Sequence, residues 1–364
     1  MSALAAADRR ALARAIALAE TARHRTAPNP AVGCVLVRDG EVVGEGATAP
    51  PGGPHAEAVA LRAAGDRAAG ATAYVTLEPC AHHGRTPPCA AALADADVHG
   101  VVYAHADPHG LAAGGAEVLR DRGLRVVGPD AVGEVLHGAV AAQLEGFLSV
   151  ATAGRPHVTL KLAQTLDGAL TAPDGRRWIT GPTARTAVHR WRAEVDAVLV
   201  GSGTVLADDP RLDVRLVAAD HQPRPVVLDR RLRTPPSARV VTRGALIVTS
   251  APADERSARR LTDAGAQVLT VPADGAPWLP QALRAVAATG IRDVLAEPGA
   301  TLADALLAAR LVDRVVLHVA DLGDGPPRRA VAPASGQVFV TERAGGAGPD
   351  LVLHLRPQPA EEAA

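Results

Sequence analysis

The sequence predicts an α/β protein of two domains. Short apolar runs alternate with Ala-rich amphipathic stretches along nearly the whole chain, the pattern of strands and helices packed in layers. The length of 364 residues corresponds to about two domains at roughly 100–200 residues each. Gly and Pro interrupt the pattern together at Thr152-Ala153-Gly154-Arg155-Pro156, where a helix does not continue. The expected domains are residues 1–150 and 155–364.

The first domain opens with a helix from Asp8 to Arg23 that places Leu12 and Ile16 on one side. Strands follow at Val32 to Val37 and Glu41 to Val43, joined by Asp39-Gly40, a pair suited to the positive-φ positions of a tight hairpin. Pro54 suits the first turn of a helix that carries His55, Glu57, Val59 and Leu61. A strand at Ala73 to Leu77 leads to a helix opened by Pro87-Pro88-Cys89 and ending near Ala96. Then come a strand at Val101 to Ala104, a helix at Val118 to Arg122, a strand at Leu124 to Val127 and one long helix from Ala131 to Leu148. In the second domain, strands are expected at His157 to Leu162, Ala197 to Val200, Pro225 to Leu228, Leu246 to Thr249, Val268 to Val271, Asp293 to Ala296, Val315 to Val319 and Leu351 to Leu355. Helices at Thr183 to Val195, Ser257 to Ala264, Leu279 to Ala288 and Leu302 to Ala309 lie between them. The polar tail from Pro357 is expected to fray.

Composition excludes several classes of function. A formal net charge of -1 provides no basic field for nucleic acid. No apolar run reaches the roughly 18 residues of a membrane span, and the first residues lack the apolar stretch and cleavage site of a signal peptide. Three cysteines, Cys34, Cys80 and Cys89, are too few for a disulfide framework. They point to a reducing, cytoplasmic setting, where paired cysteines bind metal or do chemistry. The chain is rich in Ala, Arg, Gly and Pro, yet keeps a single lysine, Lys161, and a single asparagine, Asn29.

His55-Ala56-Glu57 at a helix start, Pro79-Cys80 after a strand and Cys89 at the next helix start form a zinc constellation. One imidazole and two thiolates supply three tetrahedral ligands and leave the fourth position open for water. Helix N-termini favour the thiolate form. Glu57, two residues past His55, is expected not to ligate but to take a proton from the attacking water and pass it to the leaving amine. Nucleobase deaminases carry this signature with a tighter cysteine pair; here Ala81 to Pro88 fill the gap. His82 and His83 are alternative ligands, although the loop between the cysteines is better suited to holding substrate. In the second half, Gly201-Ser202-Gly203-Thr204 follows a strand, so backbone N–H groups can face a phosphate. The third Gly of the dinucleotide fingerprint is missing, because Leu206 occupies its place.

Three stretches of the first half resemble the RibD family of bifunctional riboflavin-biosynthesis enzymes. They are Pro28-Asn29-Pro30 with Val32-Gly33, Pro54 to Glu57, and Thr76-Leu77-Glu78-Pro79-Cys80 through Cys89. In the second half, Lys161-Leu162-Ala163 with Thr165-Leu166-Asp167-Gly168, Trp178-Ile179-Thr180, Asp196 to Pro210, and Glu297 with Gly299, Thr301 and Leu302 resemble the reductase domain of the same family. The resemblance implies a cytidine-deaminase-like α/β/α domain followed by a dihydrofolate-reductase-like α/β domain, with Zn2+ and NADPH as cofactors. It implies deamination of 2,5-diamino-6-(5-phosphoribosylamino)pyrimidin-4-one, then reduction of the ribosyl chain to ribityl. It places His55, Cys80 and Cys89 on zinc, Glu57 as the catalytic acid–base, and Asn29, His82 and Arg85 on the pyrimidine phosphate. It places Gln164, Trp178, Thr204, Asp208, Gly299 and Thr301 on NADPH, and Lys161, Arg176, Arg192, Leu212, Arg215 and Glu297 near the second substrate. It further implies a cytoplasmic homodimer or larger oligomer acting on a small molecule, with no nucleic-acid or membrane partner.

Departures from the family pattern are specific. Thr48 stands in place of a usual His, and His109 in place of the Asn after Asp107-Pro108. His109 is expected to take over that hydrogen bond to substrate. Asp213 replaces a usual Thr, and Asp321-Leu322-Gly323-Asp324-Gly325 replaces the usual segment after the strand ending near Val319. Arg230 stands where a small hydroxyl residue is common; it is expected to pair with the 2'-phosphate of NADPH. Two alternatives remain at this level: a deaminase with an impaired reductase half, and a nucleic-acid base deaminase with an appended domain.

Overall fold

The computed structural model describes residues 4–82, 87–110, 112–166, 168–169, 178–250, 254–272, 274–320 and 338–358. The chain divides into two compact units, Met1–Gly154 and Arg155–Ala364.

The first unit runs α1 (Ala6–Ala22), β1 (Gly33–Arg38), β2 (Glu41–Ala47), α2 (Ala56–Ala64), β3 (Thr72–Leu77), α3 (Cys89–Asp95), β4 (Gly100–His105), α4 (Gly115–Asp121), β5 (Arg125–Val127), α5 (Glu134–Gln143) and α6 (Glu145–Ala153). Its five strands are ordered β2-β1-β3-β4-β5. β1 is antiparallel to both of its neighbours, and β3, β4 and β5 are parallel. The β1–β2 turn has positive φ at Asp39 (51°) and Gly40 (81°), as the Asp-Gly pair predicts. A Cβ on Gly33 would lie 1.9 Å from the Ala15 carbonyl oxygen of α1, so only glycine lets that helix seat on the sheet. The next residue, Cys34, pairs with Gly46, whose open side meets α2. Because successive strand residues point to opposite faces, α1 and α2 cover opposite sides of the sheet. Leu12, Leu36, Leu93 and Leu119 are fully buried between these layers.

The second unit runs β6 (His157–Thr165), α7 (Pro182–Arg192), β7 (Ala197–Gly201), α8 (Ser202–Asp208), β8 (Arg224–Leu228), β9 (Leu246–Ser250), α9 (Glu255–Asp263), β10 (Gln267–Val271), α10 (Trp278–Ala287), β11 (Asp293–Ala296), α11 (Ala300–Ala308), β12 (Arg314–Ala320), β13 (Phe339–Ala347) and β14 (Asp350–Pro357). Its sheet has the order β10-β9-β8-β7-β11-β6-β12-β14-β13. Every pairing from β10 to β12 is parallel, and β14 and β13 add antiparallel strands at one edge. Central strands read as unbroken apolar runs because both faces are covered; Val198 and Leu199 are both fully buried.

Three elements depart from the sequence expectation, the first being α8, a helix where only a Gly-rich turn was expected. The single helix expected over Ala131 to Leu148 is two helices, α5 and α6, broken at Leu144 (φ -99°, ψ 4°) and continued to Ala153. Leu144 turns into the core there with 2% of its surface exposed, while Gln143 Nε2 ties the break to the Ile16 carbonyl at 3.0 Å. The strand β13 was not expected. It is an edge strand whose residues Val340 to Gly346 are exposed, so it lacks the alternating buried face that marks a strand in sequence. The tail beyond Gln358 and the segment Asp321 to Gly325 lie outside the described residues.

One buried residue sets an acid limit on the second unit. His318 of β12 is fully buried, and neither ring nitrogen has a hydrogen-bond partner among the described residues. Its ring lies 5.4 Å from that of Trp191. Burial, and then the charge of Lys161, lower its pKa to about 4. Between that value and the ordinary 6.5, the unfolded chain binds a proton that the folded chain refuses. The stability this residue contributes is therefore complete above pH 6.5 and lost as pH falls toward 4, by about 3 kcal/mol. Thermal unfolding from pH 7 to 4 is expected to show this loss, and His318→Phe to reduce it. His189, also lowered to about 4 by burial, sustains the remainder. A His318→Phe slope equal to that of the parent would rule out His318 as the source.

Candidate active sites

In the first unit, His55 is the N-cap of α2 and Glu57 lies in its first turn. Cys89 is the first residue of α3. Cys80 follows β3, and its carbonyl accepts the Ala90 N–H at 3.2 Å. The turn at Cys80 is held from behind. A Cβ on Gly115 would lie 1.7 Å from the Pro79 carbonyl oxygen, so glycine alone allows α4 to abut this turn. Glu78 Oε1 accepts the Ala116 N–H at 2.9 Å, and Oε2 accepts the Asp107 N–H at 3.3 Å. Glu78 thus fastens the loop bearing Asp107 and His109 to the cysteine turn. Sequence reasoning assigned it no role, although it stands inside the Thr-Leu-Glu-Pro-Cys run.

The geometry fits a metal. The His55, Cys80 and Cys89 donor atoms lie within 4.8 Å of one another. His55 Nδ1 is 3.7 Å from Cys80 Sγ and 3.3 Å from Cys89 Sγ. Zinc bonds of about 2.3 Å to sulfur and about 2.0 Å to nitrogen in a tetrahedron place such atoms about 3.6 Å apart. The neighbouring Cys89 thiol, and then the hydrogen bond with His55, lower Cys80, whereas the contact with Cys80 and burial raise Cys89. Glu57 is buried, and that burial pushes its carboxyl up to about 7.

Of the residues expected on substrate, Asn29 is half-buried in a turn closed by its own N–H to the Thr26 carbonyl at 2.7 Å. His82 is exposed beside Cys80. His109 is exposed, with its N–H donated to Asp107 Oδ1 at 2.8 Å. Arg85 lies outside the described residues. Thr48 is buried and bonds both ways to the Val32 backbone, at 3.0 and 3.4 Å. It ties the residue before β1 to the residue after β2.

In the second unit, parallel register brings β6, β11 and β7 to a common carboxyl end, the usual ligand side of such sheets. Leu160 pairs with Ala296, so Lys161 and Glu297 are neighbours one step on. Arg192, at the end of α7, reaches Glu297 in a fork, Nε to Oε1 at 2.7 Å and Nη2 to Oε2 at 3.0 Å. Its Nη1 donates to the Asp213 carbonyl at 3.0 Å. Burial lowers the Lys161 ammonium, against the pull of Glu297. A cleft of about 210 Å³ opens beside Arg192, lined also by Trp178, Leu212, Arg211, Arg215 and Arg239. Leu212 takes a left-handed φ of 53°. The Arg215 N–H donates to His189 Nδ1 at 3.2 Å; burial keeps that imidazole neutral by lowering it to about 4.

Residues expected on the dinucleotide lie close by. The Gly299 N–H, at the N-cap of α11, donates to Thr204 Oγ1 at 3.2 Å, which joins the start of α11 to the start of α8. A Cβ on Gly299 would meet only Thr204 Oγ1, at 3.8 Å. The backbone there is open to an incoming phosphate, so the residues fit the cofactor. Thr301 is exposed in the first turn of α11, and Asp208 is exposed at the end of α8. Gln164 sits in β6 opposite Val319, and Trp178 is half-exposed with the Arg185 guanidinium 5.4 Å from its ring. Arg230 is exposed just beyond β8. Arg233, which sequence reasoning passed over, reaches Ser202 Oγ at 2.9 Å. Arg176 lies outside the described residues.

A His–Cys–Cys cluster beside a buried Glu in one unit, and a Lys–Glu–Arg cluster beside a dinucleotide turn in the other, define a zinc deaminase joined to a pyridine-nucleotide reductase. The cytidine and deoxycytidylate deaminase zinc-binding region matches residues 6–105, and the RibD C-terminal domain matches residues 156–335. The riboflavin biosynthesis protein RibD of Escherichia coli is 38% identical over 94% of this chain and 98% of its own. That of Mycobacterium tuberculosis is 41% identical over 91% of each. The RibD structure from Acinetobacter baumannii superposes with a TM-score of 0.84 at 38% identity, covering 97% of this chain and 99% of that one. The Thermotoga maritima diaminohydroxyphosphoribosylaminopyrimidine deaminase/5-amino-6-(5-phosphoribosylamino)uracil reductase superposes at 0.79, with 31% identity over 97% and 99%. The chain belongs to the RibD family of bifunctional deaminase–reductases of riboflavin biosynthesis.

Proposed function

We propose that this chain deaminates 2,5-diamino-6-(5-phosphoribosylamino)pyrimidin-4-one at its 2-amino group and then reduces the ribosyl chain of the product to ribityl. The observation that supports this most is the presence of both side-chain clusters in one chain that spans nearly the full length of its relatives. His55, Cys80 and Cys89 hold zinc, which supplies a Lewis acid that makes water nucleophilic at neutral pH. Glu57 takes a proton from the attacking water and delivers one to the departing amine. Asn29, which can both donate and accept, reads the pyrimidine edge, with His82, Arg85 and His109 on the rest of the substrate.

NADPH supplies the hydride for the second step, chemistry that no side chain offers. Gln164, Trp178, Thr204, Asp208, Gly299 and Thr301 hold it. Lys161 and Glu297, with Arg192 forked onto Glu297, flank the reacting end of the sugar, and Arg176, Leu212 and Arg215 lie at its phosphate end, where guanidinium forks suit phosphate. Arg230 selects NADPH through its 2'-phosphate. Arg230→Ala is expected to lower kcat/KM for NADPH about tenfold and leave NADH unaffected, the size of one charge-assisted bond. Equal losses with both cofactors would remove Arg230 from that role. We place the enzyme in the cytoplasm as a homodimer or larger homo-oligomer. Among the described residues, no helix is long and apolar enough to cross a membrane.

The test is incubation of zinc-loaded protein with the diaminopyrimidine phosphate, with and without NADPH, followed by mass analysis. Replacement of the amine by oxygen, then gain of two hydrogens only with NADPH, is the expected result. Deamination alone would reduce the reading to a monofunctional deaminase. Activity on single-stranded nucleic acid instead would favour the base-deaminase alternative, against which the formal net charge of -1 speaks.

A further inference from the structure

We propose that Asp213 is a positioning residue for the substrate phosphate, acting through Arg211 and Arg215, which it holds toward the cleft. The inference rests on the reductase reading above. Four arginines line the cleft, and two of them are committed elsewhere. Arg192 is forked onto Glu297. Arg239 is bound to Asp209, through Nε to Oδ2 at 3.2 Å and through its N–H to Oδ1 at 2.9 Å.

The remaining two share one carboxylate. Arg211 Nε lies 2.8 Å from Asp213 Oδ2, and Arg215 Nη1 bonds Asp213 Oδ1. The Asp213 side chain is only 7% exposed, whereas those of Arg211 and Arg215 are 56% and 43% exposed. The carboxylate therefore sits behind and the guanidiniums in front. One negative charge between two positive ones leaves a net positive charge and unused N–H donors facing the cleft, which suits a phosphate monoester. Without Asp213, the like charges repel and the long side chains regain freedom that binding must then remove.

The backbone around Asp213 is held without its side chain. Gln222 bonds Val214 both ways, at 2.8 and 3.0 Å, and Arg192 holds the Asp213 carbonyl. Asp213→Asn should therefore keep the loop and lose the electrostatic clamp.

The test uses the zinc- and NADPH-loaded full chain. Asp213→Asn is expected to raise KM for the phosphorylated intermediate about tenfold with kcat within about twofold, the effect of loosening a charge-assisted contact. KM for the dephosphorylated counterpart should not move, and Asp213→Glu should recover at least half of the loss. Binding of inorganic phosphate, titrated by calorimetry without turnover, should weaken by the same factor. An unchanged or lower KM, an equal rise for both substrates, or unaltered phosphate binding would overturn the proposal. Absence of NADPH-dependent reduction in the parent would instead overturn the functional reading, and the phosphate titration would still decide the role of Asp213.

Discussion

Glu57→Gln is expected to lower deamination by about three orders of magnitude or more while zinc stays bound. A positioned acid–base contributes roughly 10²–10⁴-fold, and here one side chain serves both proton transfers. Glu57 is 4% exposed, so bulk water has little access to substitute for it. The ligands come from His55, Cys80 and Cys89, and glutamine preserves the volume and helical position of the residue it replaces. Metal content by atomic absorption should therefore equal that of the parent while ammonia release collapses. Retention of a tenth of the activity would assign the proton transfers to another group. Loss of zinc would mean that Glu57 supports the ligands and not the chemistry.

Glu297→Ala is expected to destabilise the second unit by about 3–5 kcal/mol and abolish reduction. Removing one partner of a buried pair strands the other charge, a cost of that size. The Arg192 and Glu297 side chains are only 11% and 15% exposed, and Lys161 lies beside them. Burial pushes the Glu297 carboxyl up, but Arg192 and then Lys161 more than offset this and hold it below its ordinary value. The pair's contribution is thus complete above the ordinary carboxylate range and is lost in strong acid. Replacing both partners, Arg192→Leu with Glu297→Leu, should recover at least half of the stability, because apolar packing avoids the cost of buried charge. It should not recover reduction. Denaturant unfolding reads the first effect and NADPH oxidation the second. A single-variant loss under about 1 kcal/mol, typical of exposed pairs, would show that water reaches the site.

The two sites differed in how far they could be read from sequence. The deaminase cluster is local: His55 and Glu57 share a helix start, and Cys80 and Cys89 bracket one loop, so spacing alone suggested zinc. The reductase cluster joins β6, α7 and the end of β11, which only the parallel register brings together. Arginines were the hardest to rank. With one lysine among 38 basic residues, residue type carries little information, and the contacts of Arg211, Arg233 and Arg239 emerged only in three dimensions. Edge strand β13 and the break at Leu144 were missed for a different reason. The first buries almost no side-chain face, and the second depends on where a single leucine turns inward.

The solitary Lys161 also gives the chain an unusual chemical profile. Its ammonium is lowered by burial, so a larger share is the neutral, nucleophilic amine than on an ordinary surface lysine. Amine-directed acylation has one side chain to find in this sequence, and it stands beside Glu297. Labelling at Lys161, resolved from the N-terminal amine by peptide mass analysis, would read the occupancy of one reaction centre.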